Sequence, residues 1–185
     1  MRTIKLSDTV MVSDPCYQVP TWCQHKLTGV LPGEYIVSAM ETDEGDWGDR
    51  IGLLAAVHKD YAEDSANNNL TWRTVKGAVI GVDSGQCGIF SMESYRNDEV
   101  FSEPNNFGFT QYEEGDHWYG HMCDRTLSDS MWGVYDAGVV SSSGYGDGSY
   151  RLLVAKHKGK IVGIGVDYLG FKNYAFNTAI EIVME

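Results

Sequence analysis

Residues 149–169 read SYRLLVAKHKGKIVGIGVDYL. Two runs rich in Val, Ile and Leu flank the polar HKGK, and Gly159 can take positive φ without steric cost. That pattern predicts an antiparallel β-hairpin. It also sets the fold class, because neighbouring segments repeat the same grammar of short β-rich runs broken by Gly, Asp, Asn and Ser. Toward the N-terminus, RTIKL alternates, and VMVSDPCY is a short strand halted at Pro15. GEYIVSAMET and RIGLLAAVHK read as strands split by the acidic loop DEGDWGD. TVKGAVIGVDSG reads as one Val- and Ile-rich strand ending at Asp83-Ser84-Gly85, and CGIFSM follows closely. WGVYDAGVVSSSG resumes strand character, and TAIEIVME closes the chain with strand-like alternation.

Helix signals are sparse. PTWCQHKLTG predicts a short helix, with Pro20 near its start and Gly29 after its end. MESYRND adds a helical turn, and HWYGHMCDRTL reads as a short helix. The expected architecture is mainly β, with about eight to ten strands in an antiparallel sandwich or barrel-like sheet and one or two short helices. No internal repeat or low-complexity linker divides residues 1–185, so the chain reads as a single β-rich domain.

Charge narrows the function classes. The formal net charge is −12, which argues against direct duplex nucleic-acid binding, since phosphate contacts need Lys and Arg. It favours a partner with a basic surface. No run reaches the roughly 18 apolar residues of a membrane-spanning helix, so no membrane partner is expected. The start MRTIKLSDTV has no apolar signal core, which predicts an intracellular, cytoplasmic protein. Cys16, Cys23, Cys87 and Cys123 show no CxxC pairing and are expected to be thiols.

The segment 97–124 stands apart as an acidic and aromatic insert. It carries Asp98, Glu99, Glu103, Glu113, Glu114, Asp116 and Asp124 with no Lys or Arg. It also carries Phe101, Phe107, Phe109, Tyr112, Trp118 and Tyr119. Aromatics anchor interfaces, and charge of one sign steers a partner of the other. The candidate partner-binding set is therefore Phe107, Phe109, Tyr112, Glu113, Glu114, Asp116 and Trp118. The bland alternative is a long solvated loop with its aromatics tucked onto the core.

The glycine-rich SSSGYGDGSY at 141–150 raises sharper chemistry. A phosphate loop needs a Lys after its glycines and a following helix, and neither is present. An EF-hand needs several spaced oxygen ligands, whereas Asp147 is the lone carboxylate. SSSG lacks the GxSxG order of a nucleophile elbow. A tight turn remains, with Asp147 capping exposed N–H groups. Asp14, Asp83, Asp147 and Asp167 each sit at a strand end or in a turn. With Ser149 they form the candidate ligand-binding set; Mg²⁺ fits only if the aspartates converge, and no cofactor is otherwise implied. His117 and His121, four apart with Cys123 nearby, make a metal half-site on paper, and a surface helix is the simpler reading. Cys87 in SGQCGIF is either a nucleophile near a turn or a buried thiol, with burial the simpler expectation.

The motifs VMVSDPCY, LPGEYIV, GAVIGVDSGQCGIF and VVSSSGYGDGSYRLLVAKHKGKIVGIGVDYL occur in that order. The combination resembles the bacterial and phage family called domain of unknown function 4241, over roughly Val10 to Leu169. The resemblance implies a β-rich fold and a bacterial or phage setting, and it brings no established activity. The chain departs from the pattern in its insert and in Arg151-Leu152-Leu153 after GDGSY.

These readings lead to an acidic, non-enzymatic binding protein. It is expected to act as a phage or mobile-element accessory that occludes a host protein, serving host takeover or defence evasion. One alternative is a pocket for a nucleotide-like small molecule, or a metal-dependent hydrolytic site, built from the motif aspartates. Another is a toxin-immunity protein with the same acidic surface.

Overall fold

The computed structural model describes residues 1–67, 69–108, 113–171 and 174–184. In chain order these residues form β1 (Arg2–Leu6), β2 (Thr9–Ser13), β3 (His25–Thr28), β4 (Gly33–Asp43) and β5 (Asp49–His58). The short α1 (Ala62–Ala66) precedes β6 (Trp72–Thr74), β7 (Ile80–Val82) and β8 (Gln86–Ser91). Then come α2 (Asp116–Thr126), β9 (Trp132–Tyr135), β10 (Gly138–Ser142), β11 (Gly148–His157), β12 (Lys160–Asp167) and α3 (Tyr174–Met184). The expected hairpin is β11–β12, closed by Lys158 at φ 47° and Gly159 at φ 81°, with His157 opposite Lys160.

The strands make two antiparallel sheets in a sandwich, not a closed barrel. The seven-stranded sheet runs β1-β4-β5-β12-β11-β6, with β7 also paired to β11; the five-stranded sheet runs β3-β2-β8-β10-β9. Val10, Val12, Ile89 and Val139 from one sheet meet Tyr35, Leu54, Leu152 and Ile164 from the other in the central core.

Helices cover both outer faces. Phe176, Ala179 and Ile180 of α3 and Ala62 of α1 pack on Leu53, Ala55, Leu153 and Val162. On the far side, Trp118 and Met122 of α2 pack with Phe101 on Met11, Phe90, Tyr135 and Val140. This layering explains why β5, β8 and β12 bury nearly every residue instead of alternating: both faces of the strand meet protein. A close approach cements one face. A Cβ on Gly165 would lie 1.8 Å from the Phe176 ring, which stacks on Trp72 at 4.6 Å. Trp72 Nε1 and Ser65 Oγ both donate to Asn177 Oδ1, at 3.1 and 3.2 Å.

Three expectations are corrected. PTWCQHKLTG forms no helix: Gln24 N–H closes a turn onto Thr21 O at 3.1 Å, and 25–28 joins β2 as an edge strand. Sheet pairing with Leu27 in the core outweighs the weak preference of so short a helix. TAIEIVME is not a strand but part of α3. Ala175, Phe176, Ala179 and Ile180 repeat at the spacing of one helical face, which becomes visible once the segment is read from 174. TVKGAVIGVDSG breaks after β6 at a turn where Ala78 N–H bonds Val75 O at 3.1 Å and Gly77 takes φ 78°, so β7 is separate. No helix among the described residues is long and apolar enough to cross a membrane.

Candidate functional site

Asp14 organises one end of the sandwich. It is fully buried. Its Oδ1 accepts from Cys16 N–H at 2.8 Å and Ser84 Oγ at 2.6 Å; its Oδ2 accepts from Asp83 N–H at 2.8 Å and Ser84 N–H at 2.7 Å. Four donors on one carboxylate satisfy a charge that burial alone would make costly. They also weld the turn after β2 to the turn after β7. Tyr95 and Arg96 brace the same loop. The Tyr95 hydroxyl donates to Tyr17 O at 2.7 Å, and Arg96 Nη1 donates to Pro15 O at 3.0 Å.

A third turn docks here. Ser143 N–H donates to Gly85 O at 3.0 Å, and Ser143 Oγ donates to Gly146 O at 2.9 Å. The Tyr150 hydroxyl reaches Gly146 O at 2.6 Å. These groups hold the GYGDG turn, with Gly144 at φ 51° and Gly146 at φ 104°. Asp147 does not cap it, contrary to the expectation from sequence. Its exposed carboxylate accepts no hydrogen bond among the described residues.

Strand pairing sets where Asp147 lies. Gly148 is opposite Val82 and Ser149 opposite Gly81. Asp147 and Asp83 are the residues next beyond that last pair, each in a bend outside the ladder. Both are exposed, and neither pairs with a cation among the described residues. Together with Ser149, Tyr17, Thr21, Trp22 and Cys23 they line a groove of about 410 Å³. Burial first, then the Asp83 carboxylate and the Cys23 thiol, pushes the Tyr17 hydroxyl well above its ordinary range. Trp22 is 85 % exposed.

The candidate ligand set therefore divides. Asp83, Asp147 and Ser149 share the groove, and Asp14 lies behind it with its oxygens filled. Asp167 is elsewhere: it is buried, pairs with Arg151, and accepts from Gly170 N–H at 2.8 Å and Phe171 N–H at 2.9 Å. The four aspartates do not surround one ion, and among the described residues no three His, Cys, Asp or Glu groups stand together as a metal site.

Beside the groove, Tyr145 of the GYGDG turn is 57 % exposed and Trp47 of the β4–β5 loop is 67 % exposed. Their rings meet edge to face at 6.1 Å, and the Tyr145 hydroxyl bonds Glu44 at 2.5 Å. Trp22 thus presents aromatic area in the groove, and Trp47 and Tyr145 present more at the GYGDG turn, beside Glu44. Sequence reading passed over Tyr17, Trp22, Trp47 and Tyr145. The available signal was a Trp in PTWC and another in GDWGD, polar turns where no periodicity calls for a core residue.

The insert is less open than expected. Trp118 is fully buried, edge to face with Phe90 at 5.1 Å and Tyr95 at 5.3 Å, so it is a core residue and not a surface anchor. Asp116 accepts from Glu113 N–H at 3.0 Å and pairs with Arg96 at 3.5 Å. Phe107, Glu113 and Glu114 remain exposed; Phe109 and Tyr112 lie outside the described residues. The surface-helix reading of the histidines is corrected too. His121 is buried and stacks on Phe101 at 4.1 Å. His117 Nε2 faces Phe101 O at 3.1 Å and His121 Nε2 faces Glu103 O at 2.9 Å, so each holds its proton toward a carbonyl. Cys87 is fully buried, and burial drives its thiol far above the ordinary range, which removes it as a nucleophile.

No protein-family model, curated protein or solved structure matches the chain.

Proposed function

We propose that this chain is an acidic binding protein that captures a partner with a basic surface and occludes it. The observation that carries the reading is the face around the GYGDG turn. There Trp22 stands exposed in one groove with Asp83 and Asp147, two carboxylates with no cation partner among the described residues, and the GYGDG turn carries the exposed Tyr145 with the Trp47 ring against it. Rigid aromatics give contact area at low entropic cost, and interfaces are enriched in them. A net charge of −12 steers a basic partner to this face. Glu113 and Glu114 add acidic rim at the insert. The motif resemblance supports a bacterial or phage setting, in which the partner is a host defence factor or nucleic-acid enzyme. A toxin-immunity protein would use the same face, and the partner's identity separates the two.

The test is affinity capture from host lysate with quantitative mass spectrometry. Trp47→Ala with Tyr145→Ala is expected to lower capture of the partner at least about tenfold, in line with interface aromatics. Raising salt is expected to weaken capture further. Glu113→Lys with Glu114→Lys is expected to have a smaller effect, mainly on association rate. Capture indifferent to all four substitutions would sink the reading.

A further inference from the structure

We propose that the groove between Asp83, Asp147, Trp22 and Tyr17 is a receptor for a guanidinium group, the side chain of an arginine on the partner. The proposal rests on the binding reading above and specifies its central contact. Like charges gathered in one groove repel. Asp83 and Asp147 lie just beyond the last pair of the β7–β11 ladder and line the same groove, without a cation between them among the described residues. The backbone around them is tightly fixed: Asp14 grips Asp83 N–H and Ser84 N–H, and Ser143 N–H grips Gly85 O. The turn that carries Asp83 is therefore held in place. A cation between them turns repulsion into attraction at both.

The rest of the lining selects the kind of cation. The indole of Trp22 stands 85 % exposed at the groove, with the Tyr17 phenol and the Ser149 hydroxyl also in the lining. A guanidinium is planar, weakly hydrated and able to stack on a ring while its fork donates to carboxylates. An ammonium is a strongly hydrated point charge and uses the ring less well. Divalent ions prefer more oxygen ligands than two carboxylates and one hydroxyl provide. The volume of about 410 Å³ admits an arginine side chain with room for water.

The test uses the full chain and two capped peptides, acetyl-Gly-Arg-Gly-amide and acetyl-Gly-Lys-Gly-amide, titrated while the Trp22 indole N–H is followed by NMR. Trp22→Phe assigns that signal. The arginine peptide is expected to shift it saturably, with the lysine peptide at least about threefold weaker. Asp83→Asn with Asp147→Asn is expected to cut arginine-peptide affinity at least about tenfold, while the thermal midpoint shows that the fold is kept. Three results overturn the proposal: no saturable shift, a shift that survives the double Asn variant, or displacement of the peptide by millimolar Mg²⁺ or Ca²⁺. The pocket and the wider reading fail separately. Loss of peptide binding alongside partner capture that still depends on Trp47 and Tyr145 overturns the pocket alone. Capture indifferent to Trp47 and Tyr145 overturns the wider reading even if the peptide binds.

Discussion

At the residue scale, one amino-acid type does opposite work at two positions near one end of the sandwich. Asp14 is buried and receives four hydrogen bonds, so its charge is a structural cross-link. Asp147 is exposed, receives none among the described residues, and shares a groove with Asp83. Neutralising each should move stability in opposite directions. Asp14→Asn exchanges an acceptor-only group for one whose NH₂ meets N–H donors, and is expected to cost roughly 2–3 kcal/mol. Asp147→Asn removes one of two like charges in the groove and is expected to gain up to about 0.5 kcal/mol. Urea midpoints of the two variants check both signs. Both residues read as good turn formers in sequence, since Asp before Pro and Asp between glycines carry the same local signal. Which one is buried depends on what packs against the turn.

The β11–β12 hairpin shows the element scale. Its two-residue turn places both Lys158 and Gly159 at positive φ, the pattern of a type I′ turn. Glycine takes that conformation freely; lysine pays steric strain for it. Lys158→Asn is expected to stabilise the chain by ~1 kcal/mol, seen as a raised thermal midpoint with the contacts of the groove untouched. The hairpin was fully legible because its signals are local: a polar turn and two apolar runs. β3 and α3 were not. A four-residue edge strand carries too little pattern to be told from a turn. The helical period of α3 shows only when Ala175 and Phe176 are read with Ala179 and Ile180, and its partner surface is formed by strands far away in sequence.

For the whole molecule, burial of weak acids predicts how stability responds to alkali. Burial, with Asp14 adding to it, pushes the Cys16 thiol from 9.0 up to about 12. Burial likewise moves the Tyr135 hydroxyl from 10.0 to about 12, and Tyr35, Tyr95 and Tyr168 are raised by the same cause. Between the ordinary and the raised values the folded chain keeps protons that the unfolded chain loses. These groups are therefore expected to leave stability unchanged between about pH 7 and 9 and to lower it as pH rises from there toward 12. Urea midpoints from pH 7 to 11 check this; a midpoint unchanged at pH 11 would contradict it. Tyr35 and Tyr168 are buried between the two sheets and Tyr95 and Tyr135 beneath α2, which makes their ionisation costly.

The sequence by itself determined the β-rich class, the single-domain organisation, the strands that carry their own turn signals and the acidity of the surface. These follow from side-chain volume, backbone preference and charge, which are local properties. Tertiary structure decided the rest. It buried Trp118 and exposed Trp22, although both are tryptophans in polar surroundings, because α2 lies on a sheet face and the turn after Pro20 does not. It drew Asp83 and Asp147 into one groove, set Asp14 behind them as the clamp and sent Asp167 to Arg151. Convergence of that kind is set by strand order and register, which join residues dozens of positions apart and leave no trace in the spacing of a motif.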